Sequence, residues 1–231
     1  MVRPNDMGMS IFCLNASCKK IFDFQMGECM KILLFGDSIT EYIPKDKLNI
    51  DWSYNQKKNA ENGVDTFDFY KCGTENYASD MLRKYVYPQI DTTPYDLIVL
   101  QCGINDFFWP YYDEDYPKKS PEEIFQEIAS FAEHIQETSQ KKVVVQSLYP
   151  IKNSKVTSIE DVVYINKRLA GFCAESGMKF VNMFSKLAGA DGNYKEGLSD
   201  DNLHPNTKGY EIVAQELNKL LCAQKSKERE L

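Results

Sequence analysis

The sequence predicts an α/β domain built on a doubly wound parallel sheet. Short apolar blocks of strand length alternate along the chain with longer segments whose apolar residues recur at helical spacing. Such alternation is typical of strand–helix–strand units. The blocks "LIVL" and "VVV" are apolar without interruption, which indicates strands buried on both faces, as in a parallel sheet covered by helices.

Five blocks have the length and composition of strands. They span residues 32–35, 66–70, 97–100, 143–145 and 180–184. The second block alternates between apolar and polar residues, and the others are mainly apolar. We expect each block to contribute one strand.

Four segments have the length and periodicity of helices. The clearest begins after Ser120, where Pro121 and Glu123 form a start signal. Its apolar residues recur at helical spacing: Ile124, Ile128, Phe131 and Ile135. The other predicted helices span residues 79–86, 159–175 and 207–221.

The 231-residue chain is long enough for one substantial core, and nothing in its composition requires a second. We expect a single domain over residues 30–231. Residues 1–29 form an N-terminal extension to which the sequence assigns no role, since they show neither a sustained period nor a signal-peptide core. Either translation begins at Met30, or the extension packs on the outside of the domain.

Charge and cysteine content argue against several classes of protein. The net charge of −7 would repel a phosphate backbone, so nucleic acid is not an expected partner. No apolar run has the length of a membrane span. The seven cysteines are scattered and odd in number, which favours a reducing, cytoplasmic compartment. Cys13, Cys18 and Cys29 lack metal-ligand spacing, and neither a metal nor another cofactor is expected.

Polar residues follow the predicted strands, at the edge where doubly wound domains bind ligands. Gly36, Asp37 and Ser38 follow the first strand, residues 72–76 the second and residues 102–106 the third. The stretch "SDDNLHPN" lies between the last strand and the last helix. This edge therefore offers a nucleophile, hydrogen-bond donors, a base and a carboxylate.

Two histidines are available as a catalytic base. His134 lies within a predicted helix among glutamates, where a solvated helix face explains it. His204 precedes Pro205, which keeps it in an extended loop, and it is the better candidate. Asp201, three residues earlier, is favoured over Asp200 as its carboxylate partner. Taken alone, Asp201 is equally well explained as a turn residue, and His204 as a loop histidine.

Ser38 also has simpler explanations. A serine directly after a strand is often the N-cap of a helix, although that role requires neither Gly36 nor Asp37. A phosphate-binding loop is less well supported, because its glycine-rich motifs are absent. The G-x-S-x-G motif of α/β-hydrolases is absent too, so a nucleophilic Ser38 must be presented in another way.

Three blocks of the sequence resemble the motifs of the SGNH, or GDSL-type, serine hydrolases. "FGDSIT" is similar to the nucleophile block of that family, "CGIND" to its Gly-x-Asn-Asp block and "DNLHP" to its Asp-x-x-His-Pro block. The resemblance extends over about residues 30–222. It implies a flavodoxin-like, three-layer αβα fold with a five-stranded parallel sheet, and ester hydrolase activity.

The resemblance also assigns roles to the matching residues. Ser38 would be the nucleophile, His204 the general base and Asp201 its orienting carboxylate. The backbone N–H of Ser38 and the side-chain amide of Asn105 would donate hydrogen bonds to the oxyanion. Without the resemblance, Asn105 is explained as a turn residue before Asp106.

The second block departs from the family pattern. The family has Asn-x-Gly-x-x-Gly, whose last glycine supplies a further oxyanion N–H, whereas this chain has "KCGTENYAS". Aligning Gly73 with the first glycine places Asn76 at the donor position. Asparagine tolerates left-handed geometry better than most residues, so either Asn76 or Gly73 is the predicted third donor.

The predicted substrate-binding residues are Asp37 and three aromatic residues of a loop at 107–117, namely Phe107, Phe108 and Trp109. The aromatic side chains either hold an acyl chain or sugar ring, or they cover the sheet edge. Acidic residues in the same loop disfavour an anionic substrate. Candidates for the opposite wall of the pocket are Tyr42, Trp52 and Tyr54.

The expected function is hydrolysis of small or medium acyl esters, with a small-molecule ester as partner. A carbohydrate O-acetylesterase, a lysophospholipase and a thioesterase are alternatives on the same site. A non-enzymatic alternative is a flavodoxin-like nucleotide-binding module, which would not require Asp201 or His204. A thiol enzyme using Cys72 or Cys102 lacks the positive neighbourhood that lowers a thiol pKa. The sequence does not indicate an oligomeric state.

Overall fold

Five strands form one parallel sheet in the order β2-β1-β3-β4-β5. The computed structural model describes residues 30–44, 67–151 and 155–228. The strands are β1 (Met30–Gly36), β2 (Phe67–Gly73), β3 (Leu97–Gln101), β4 (Lys142–Gln146) and β5 (Lys179–Val181). The predicted α/β fold is confirmed, and the strand order is the flavodoxin-like one.

Seven helical segments accompany the strands in the described part of the chain. They are α1 (Ser38–Glu41), α2 (79–89), α3 (Asn105–Tyr112), α4 (Pro121–Ser139), α5 (Ile159–Ser176), α6 (Phe184–Leu187) and α7 (Thr207–Glu228). Segment α2 combines an α-helical turn, a π-helical stretch and a 3₁₀ turn: Ser79–Met81, Leu82–Val86 and Tyr87–Gln89.

The helices lie in two layers because parallel crossovers are right-handed. The step from β1 to β2 runs in the opposite direction to the steps from β2 to β5, so their helices cover opposite faces of the sheet. On one face, helix α4 contacts both α2 and α5. Helices α1 and α7 are hydrogen-bonded on the other.

The core lies between the sheet and these layers. Strand β3 is buried along its entire length, and Ile98, Val99 and Val144 have no exposed surface. Burial of a side chain of this size contributes about 1.5–3 kcal/mol. The continuous apolar blocks are thus the central strands, as predicted.

Helix α4 begins as the sequence indicates. The Ser120 side chain accepts a hydrogen bond from the backbone N–H of Glu123, whose carboxylate accepts one from the backbone N–H of Ser120. Gln140, in left-handed geometry, ends the helix. This capping box and the buried apolar stripe fix the helix against the sheet.

Several element boundaries differ from the predictions. Strand β5 ends at Val181 because the Asn182 side chain accepts a hydrogen bond from the backbone N–H of Ser185 (3.0 Å) at the start of α6. Strand β2 continues to Gly73, helix α7 continues beyond residue 221, and the predicted loop at 107–117 is helical as far as Tyr112. No helix within residues 30–44, 67–151 and 155–228 is long and apolar enough to span a bilayer. The predicted extension, residues 1–29, lies outside the described residues.

Candidate active site

Ser38 opens helix α1 directly beyond the end of β1. The chain passes close to β3 here, since a Cβ atom on Gly36 would lie 2.0 Å from the carbonyl oxygen of Gln101. Asp37 Oδ1 then accepts a hydrogen bond from the backbone N–H of Ile39 (2.9 Å). Asp37 is therefore the N-cap of α1, and the N-cap explanation for Ser38 is wrong. The Ser38 hydroxyl is not needed to cap the helix.

His204 meets Ser38 across 166 positions of sequence. Ser38 Oγ lies 2.9 Å from His204 Nε2, and His204 Nδ1 lies 2.6 Å from Asp201 Oδ2. The structure thus brings together the predicted nucleophile, base and carboxylate. A carboxylate at Nδ1 stabilises the tautomer that leaves Nε2 free to accept the serine proton.

A tight turn holds Asp201 against His204. Asn202, between them, has a left-handed backbone with φ 62°, which asparagine tolerates. Asp201 Oδ1 accepts hydrogen bonds from the backbone N–H groups of Leu203 (2.8 Å) and His204 (2.7 Å). Burial opposes ionisation of Asp201, but the hydrogen bonds from His204 and Leu203 outweigh it and lower its pKa to about 2. Asp201 is therefore ionised at neutral pH.

Asp200, the neighbour of Asp201, forms its hydrogen bond within the loop and not with the His204 imidazole. Asp200 accepts a hydrogen bond from Asn206 Nδ2 (2.9 Å), which also donates to the carbonyl of Gly197 (3.1 Å). The hydroxyl of Tyr194 donates to the carbonyl of Leu203 (3.0 Å). These contacts fix the backbone that carries His204.

Tyr42 packs against the imidazole from the side of helix α1. Its ring meets the His204 ring edge-on, with the centroids 4.9 Å apart, and it follows Ser38 by about one helical turn. The contact restricts rotation of the imidazole. Trp52 and Tyr54, also predicted for this wall, lie outside the described residues.

Two asparagines stand at the ends of the strands that flank β1. Asn105 opens α3 beyond β3, and its Nδ2 donates a hydrogen bond to the carbonyl of Tyr77 (3.1 Å), in the loop after β2. An amide nitrogen carries two hydrogens, so one is available to a ligand. Asn76, in the same loop, has a left-handed backbone with φ 61°.

Gly73, the alternative donor, has a packing role. It pairs with Gly36 in the sheet, and a Cβ atom on it would lie 2.3 Å from the backbone nitrogen of Glu41. Glycine is therefore required for α1 to approach the end of β2. Of the two candidate donors, Asn76 is the one with a left-handed backbone.

Comparison with known proteins identifies the family to which this chain belongs. A sequence model of the GDSL-like lipase/acylhydrolase family matches residues 34–212, well over half of the chain. The chain belongs to this family. No curated protein matches it significantly in sequence.

Solved structures share the GDSL hydrolase fold. An acetyl xylan esterase superposes with a TM-score of 0.63 at 15% identity, covering 83% of this chain and 99% of that one. A mutant acetyl-xylooligosaccharide esterase from Geobacillus gives 0.62 at 17%, covering 85% and 95%. A GDSL-like lipase from Bacteroides thetaiotaomicron gives 0.57 at 20%, covering 87% and 89%. At these identities the likeness establishes the fold alone.

The sequence did not predict a buried ion-pair network in this GDSL hydrolase, which is centred on Asp106, the neighbour of Asn105. Asp106, fully buried, accepts hydrogen bonds from the backbone N–H (2.9 Å) and hydroxyl (2.7 Å) of Ser79 and from Lys119 Nζ (2.7 Å). Lys119 Nζ also donates to Asp80 (2.9 Å) and to the hydroxyl of Tyr116 (2.8 Å). Burial opposes the charge on Lys119, but Asp106 and the other partners raise its pKa. The one signal in the sequence is the position of Asp106 in "CGIND".

The predicted substrate-binding residues occupy different environments. The prediction is wrong for Asp37, which is 0% exposed and therefore offers no surface to a substrate. Phe107 is 7% exposed and belongs to the core, and Phe108 packs partly buried against it. Trp109 lies at the rim, where its Nε1 donates to the carbonyl of Asn76 (2.5 Å).

The alternative catalytic residues have structural explanations. His134 is half-buried on the side of α4 that faces α2, where its ring packs against that of Tyr87 with the centroids 5.6 Å apart. Cys102 is 2% exposed, and burial raises the pKa of its thiol well above the ordinary value, which argues against a thiolate nucleophile. In the described ranges, no cluster of His, Cys, Asp and Glu could hold a metal ion.

Proposed function

We propose that this GDSL hydrolase is a serine esterase that cleaves small or medium acyl esters through an acyl-enzyme on Ser38. The observation that carries the proposal is the chain of contacts from Ser38 Oγ to His204 Nε2 (2.9 Å) and from His204 Nδ1 to Asp201 Oδ2 (2.6 Å). The family match supports hydrolase chemistry over the nucleotide-binding alternative.

Acylation begins with attack of Ser38 Oγ on the ester carbonyl carbon. His204 Nε2 takes the hydroxyl proton as the bond forms, and the resulting imidazolium is stabilised by the ionised Asp201. The imidazolium then returns the proton to the leaving alcohol oxygen as the ester C–O bond breaks. The products of this step are the free alcohol and an ester of Ser38.

The negative charge of the tetrahedral intermediate needs donors at the sheet edge. In this proposal they are the backbone N–H of Ser38, the second hydrogen of Asn105 Nδ2 and the backbone N–H of Asn76. Asn76 is preferred to Gly73 because its left-handed backbone belongs to an exposed turn, whereas Gly73 is the last residue of a paired strand.

Deacylation repeats the sequence with water as the nucleophile. His204 removes a proton from the water, the hydroxide attacks the acyl carbon, and the proton is returned to Ser38 Oγ. The acid leaves and the serine is regenerated.

A carbohydrate O-acetylesterase is the second candidate function. It is favoured by the similar folds of an acetyl xylan esterase and an acetyl-xylooligosaccharide esterase. Trp109 at the rim, near Asn76, offers an aromatic surface on which a sugar ring could stack.

A fluorophosphonate probe and a series of p-nitrophenyl esters test the proposal. The wild type should be labelled and should hydrolyse the acetate, whereas Ser38→Ala and His204→Ala should lose kcat by a factor on the order of 10⁴ or more. His134→Ala is the matched control and should retain activity. Labelling that persists in Ser38→Ala would exclude Ser38 as the nucleophile.

A further inference from the structure

Helix α3 holds the loop that follows β2 by two adjacent backbone carbonyls. Asn105 Nδ2 donates a hydrogen bond to the carbonyl of Tyr77 at 3.1 Å. Trp109 Nε1 donates one to the carbonyl of Asn76 at 2.5 Å. Asn105 and Trp109 are one helical turn apart in α3, so their side chains lie on the same face of the helix. This face therefore carries two donors for two consecutive peptide groups of the loop.

The Trp109 indole is itself held in place by its neighbours. Its ring packs against that of Tyr116, with the centroids 5.8 Å apart. The Tyr116 hydroxyl donates a hydrogen bond to the Asp80 carboxylate and accepts one from Lys119 Nζ (2.8 Å). Packing against this anchored ring restricts rotation of the indole, whose N–H is directed at the Asn76 carbonyl.

The backbone of Asn76 is one that benefits from such support. Its φ of 61° is left-handed, a geometry that asparagine tolerates and that glycine adopts without strain. An asparagine also adopts ordinary backbone angles, so a partner for its carbonyl selects between the two. The carbonyl carbon and the amide nitrogen of a residue are bonded to the same Cα atom. A partner that fixes the carbonyl therefore also limits the directions in which the N–H can point.

We infer that Trp109 is a positioning residue, whose indole N–H holds Asn76 in the left-handed geometry that directs the Asn76 N–H toward the oxyanion. The inference rests on the proposed function, in which Asn76 is an oxyanion donor. Trp109 then acts through Asn76 and does not touch the reacting atoms. Loss of the indole N–H should weaken stabilisation of the transition state and leave substrate binding nearly unchanged.

Trp109→Phe tests the inference, because phenylalanine keeps an aromatic ring and removes the N–H. With 4-nitrophenyl acetate as substrate, kcat should fall about 10-fold and KM should change less than about 2-fold. Tyr111→Phe is the matched control and should keep the wild-type kcat. It removes an aromatic donor to another backbone carbonyl, that of Lys155, from the same helix. A loss expressed mainly in KM, or an equal loss of kcat in Tyr111→Phe, would overturn the inference.

Asn76→Gly distinguishes positioning of the backbone from a general effect on folding. Glycine adopts the left-handed geometry without a partner for its carbonyl. In the Asn76→Gly background, Trp109→Phe should therefore lower kcat less than about 3-fold relative to Asn76→Gly alone. A smaller loss in this background would also show that Trp109→Phe does not act by misfolding. Equal losses in the two backgrounds would mean that Trp109 does not act through Asn76, and would overturn the inference.

The inference and the esterase proposal fail in different ways. Activity that depends on Ser38 but is unchanged in Trp109→Phe would overturn the inference alone. A wild type that does not hydrolyse 4-nitrophenyl acetate would instead overturn the esterase proposal, and the inference with it.

Discussion

The hydroxyl of Tyr210 donates a hydrogen bond to the backbone carbonyl of Ile39 at 2.9 Å, across 171 positions of sequence. Tyr210 lies in the first turn of α7, six residues after His204, and Ile39 follows Ser38 in α1. The bond is buried. It therefore ties the segment that carries the histidine to the segment that carries the serine.

Tyr210→Phe should weaken this connection. The Ile39 carbonyl would lose a buried partner, at a cost of about 1–3 kcal/mol in the free energy of unfolding. A looser contact between Ser38 and His204 should lower kcat about 3- to 10-fold with little change in KM. Urea unfolding and steady-state kinetics measure the two effects.

Tyr87→Phe controls for the general effect of losing a tyrosine hydroxyl. The hydroxyl of Tyr87 forms a hydrogen bond with Thr138 (2.7 Å) beneath α4, on the other face of the sheet. This substitution should reduce stability without changing kcat. Equal losses of kcat in both variants would contradict a specific role for Tyr210.

Lys119→Met should disturb the proposed oxyanion site through Asp106, which follows Asn105 in the sequence. The Asp106 side chain is 0% exposed, and removal of its cation leaves a buried charge uncompensated, which costs about 3–5 kcal/mol. Asp106 joins α3 to Ser79, so its displacement should also move Asn105, a proposed donor to the oxyanion. We therefore expect kcat to fall more than KM rises. Lys119→Arg should restore part of both losses.

The pair between Lys219 and Glu216 provides the comparison. Its N–O distance is 2.8 Å, but the lysine side chain is 70% exposed, so Lys219→Met should change the free energy of unfolding by less than about 1 kcal/mol. Comparable destabilisation of the two methionine variants would show that the Asp106 network is not a special determinant of stability.

Gly103→Ala should destabilise the protein and reduce activity. Gly103 has φ 116°, and a Cβ atom on it would lie 2.5 Å from Ile128 Cδ1. The strain and the displacement of α3 would move Asn105 away from its position. Gly171→Ala, in the interior of α5, meets no atom within 4 Å and should stabilise the protein by about 0.5–1 kcal/mol. Thermal unfolding should therefore shift in opposite directions for these two glycines.

Asp37 should make stability depend on pH near neutrality. Burial raises the pKa of Asp37 from 3.8 to about 7, although hydrogen bonds from Ile39 and Gln101 act in the other direction. A raised pKa means that the folded state binds a proton that the unfolded state has released. The contribution is fully present below about pH 4 and is lost as the pH rises through about 7, and it amounts to about 4 kcal/mol at most.

Asp37→Asn should remove this dependence. Between pH 5 and 8 the wild type should lose stability relative to the variant, as measured by urea unfolding at each pH. Asp91→Asn is the control. A hydrogen bond with Thr93 lowers the pKa of this exposed carboxyl group, so its effect on stability occurs at more acidic pH. Parallel stability curves for the wild type and Asp37→Asn would contradict the raised pKa.

The sequence predicts those parts of the fold and site that depend on local patterns. The central strands are continuous apolar runs, and Asp201 reaches His204 within one turn, so their contact follows from a spacing of three residues. Helix α3 was missed because Pro110 and the acidic residues after it are typical of a loop. Burial of Phe107 and the hydrogen bond from Trp109 to Asn76 stabilise the helix, and such tertiary contacts leave no periodic pattern.

The ion-pair network could not be predicted for a related reason. Lys119, Asp106 and Asp80 come from three separate segments, and their side chains meet only in the folded protein. The hydrogen bond between Tyr210 and Ile39 likewise depends on how α7 and α1 pack. Side chains that join distant segments are fixed by topology, whereas strands and caps are fixed by their immediate neighbours.

The separation of Ser38 and His204 along the chain has a consequence for biosynthesis. The serine is translated before any of the sheet that follows β1, whereas the imidazole is translated after the last strand. In the proposed mechanism, a nascent polypeptide that ends before His204 lacks the base for Ser38. We therefore expect such a chain to be inactive toward esters until the segment with His204 has been made and has reached the edge of the sheet.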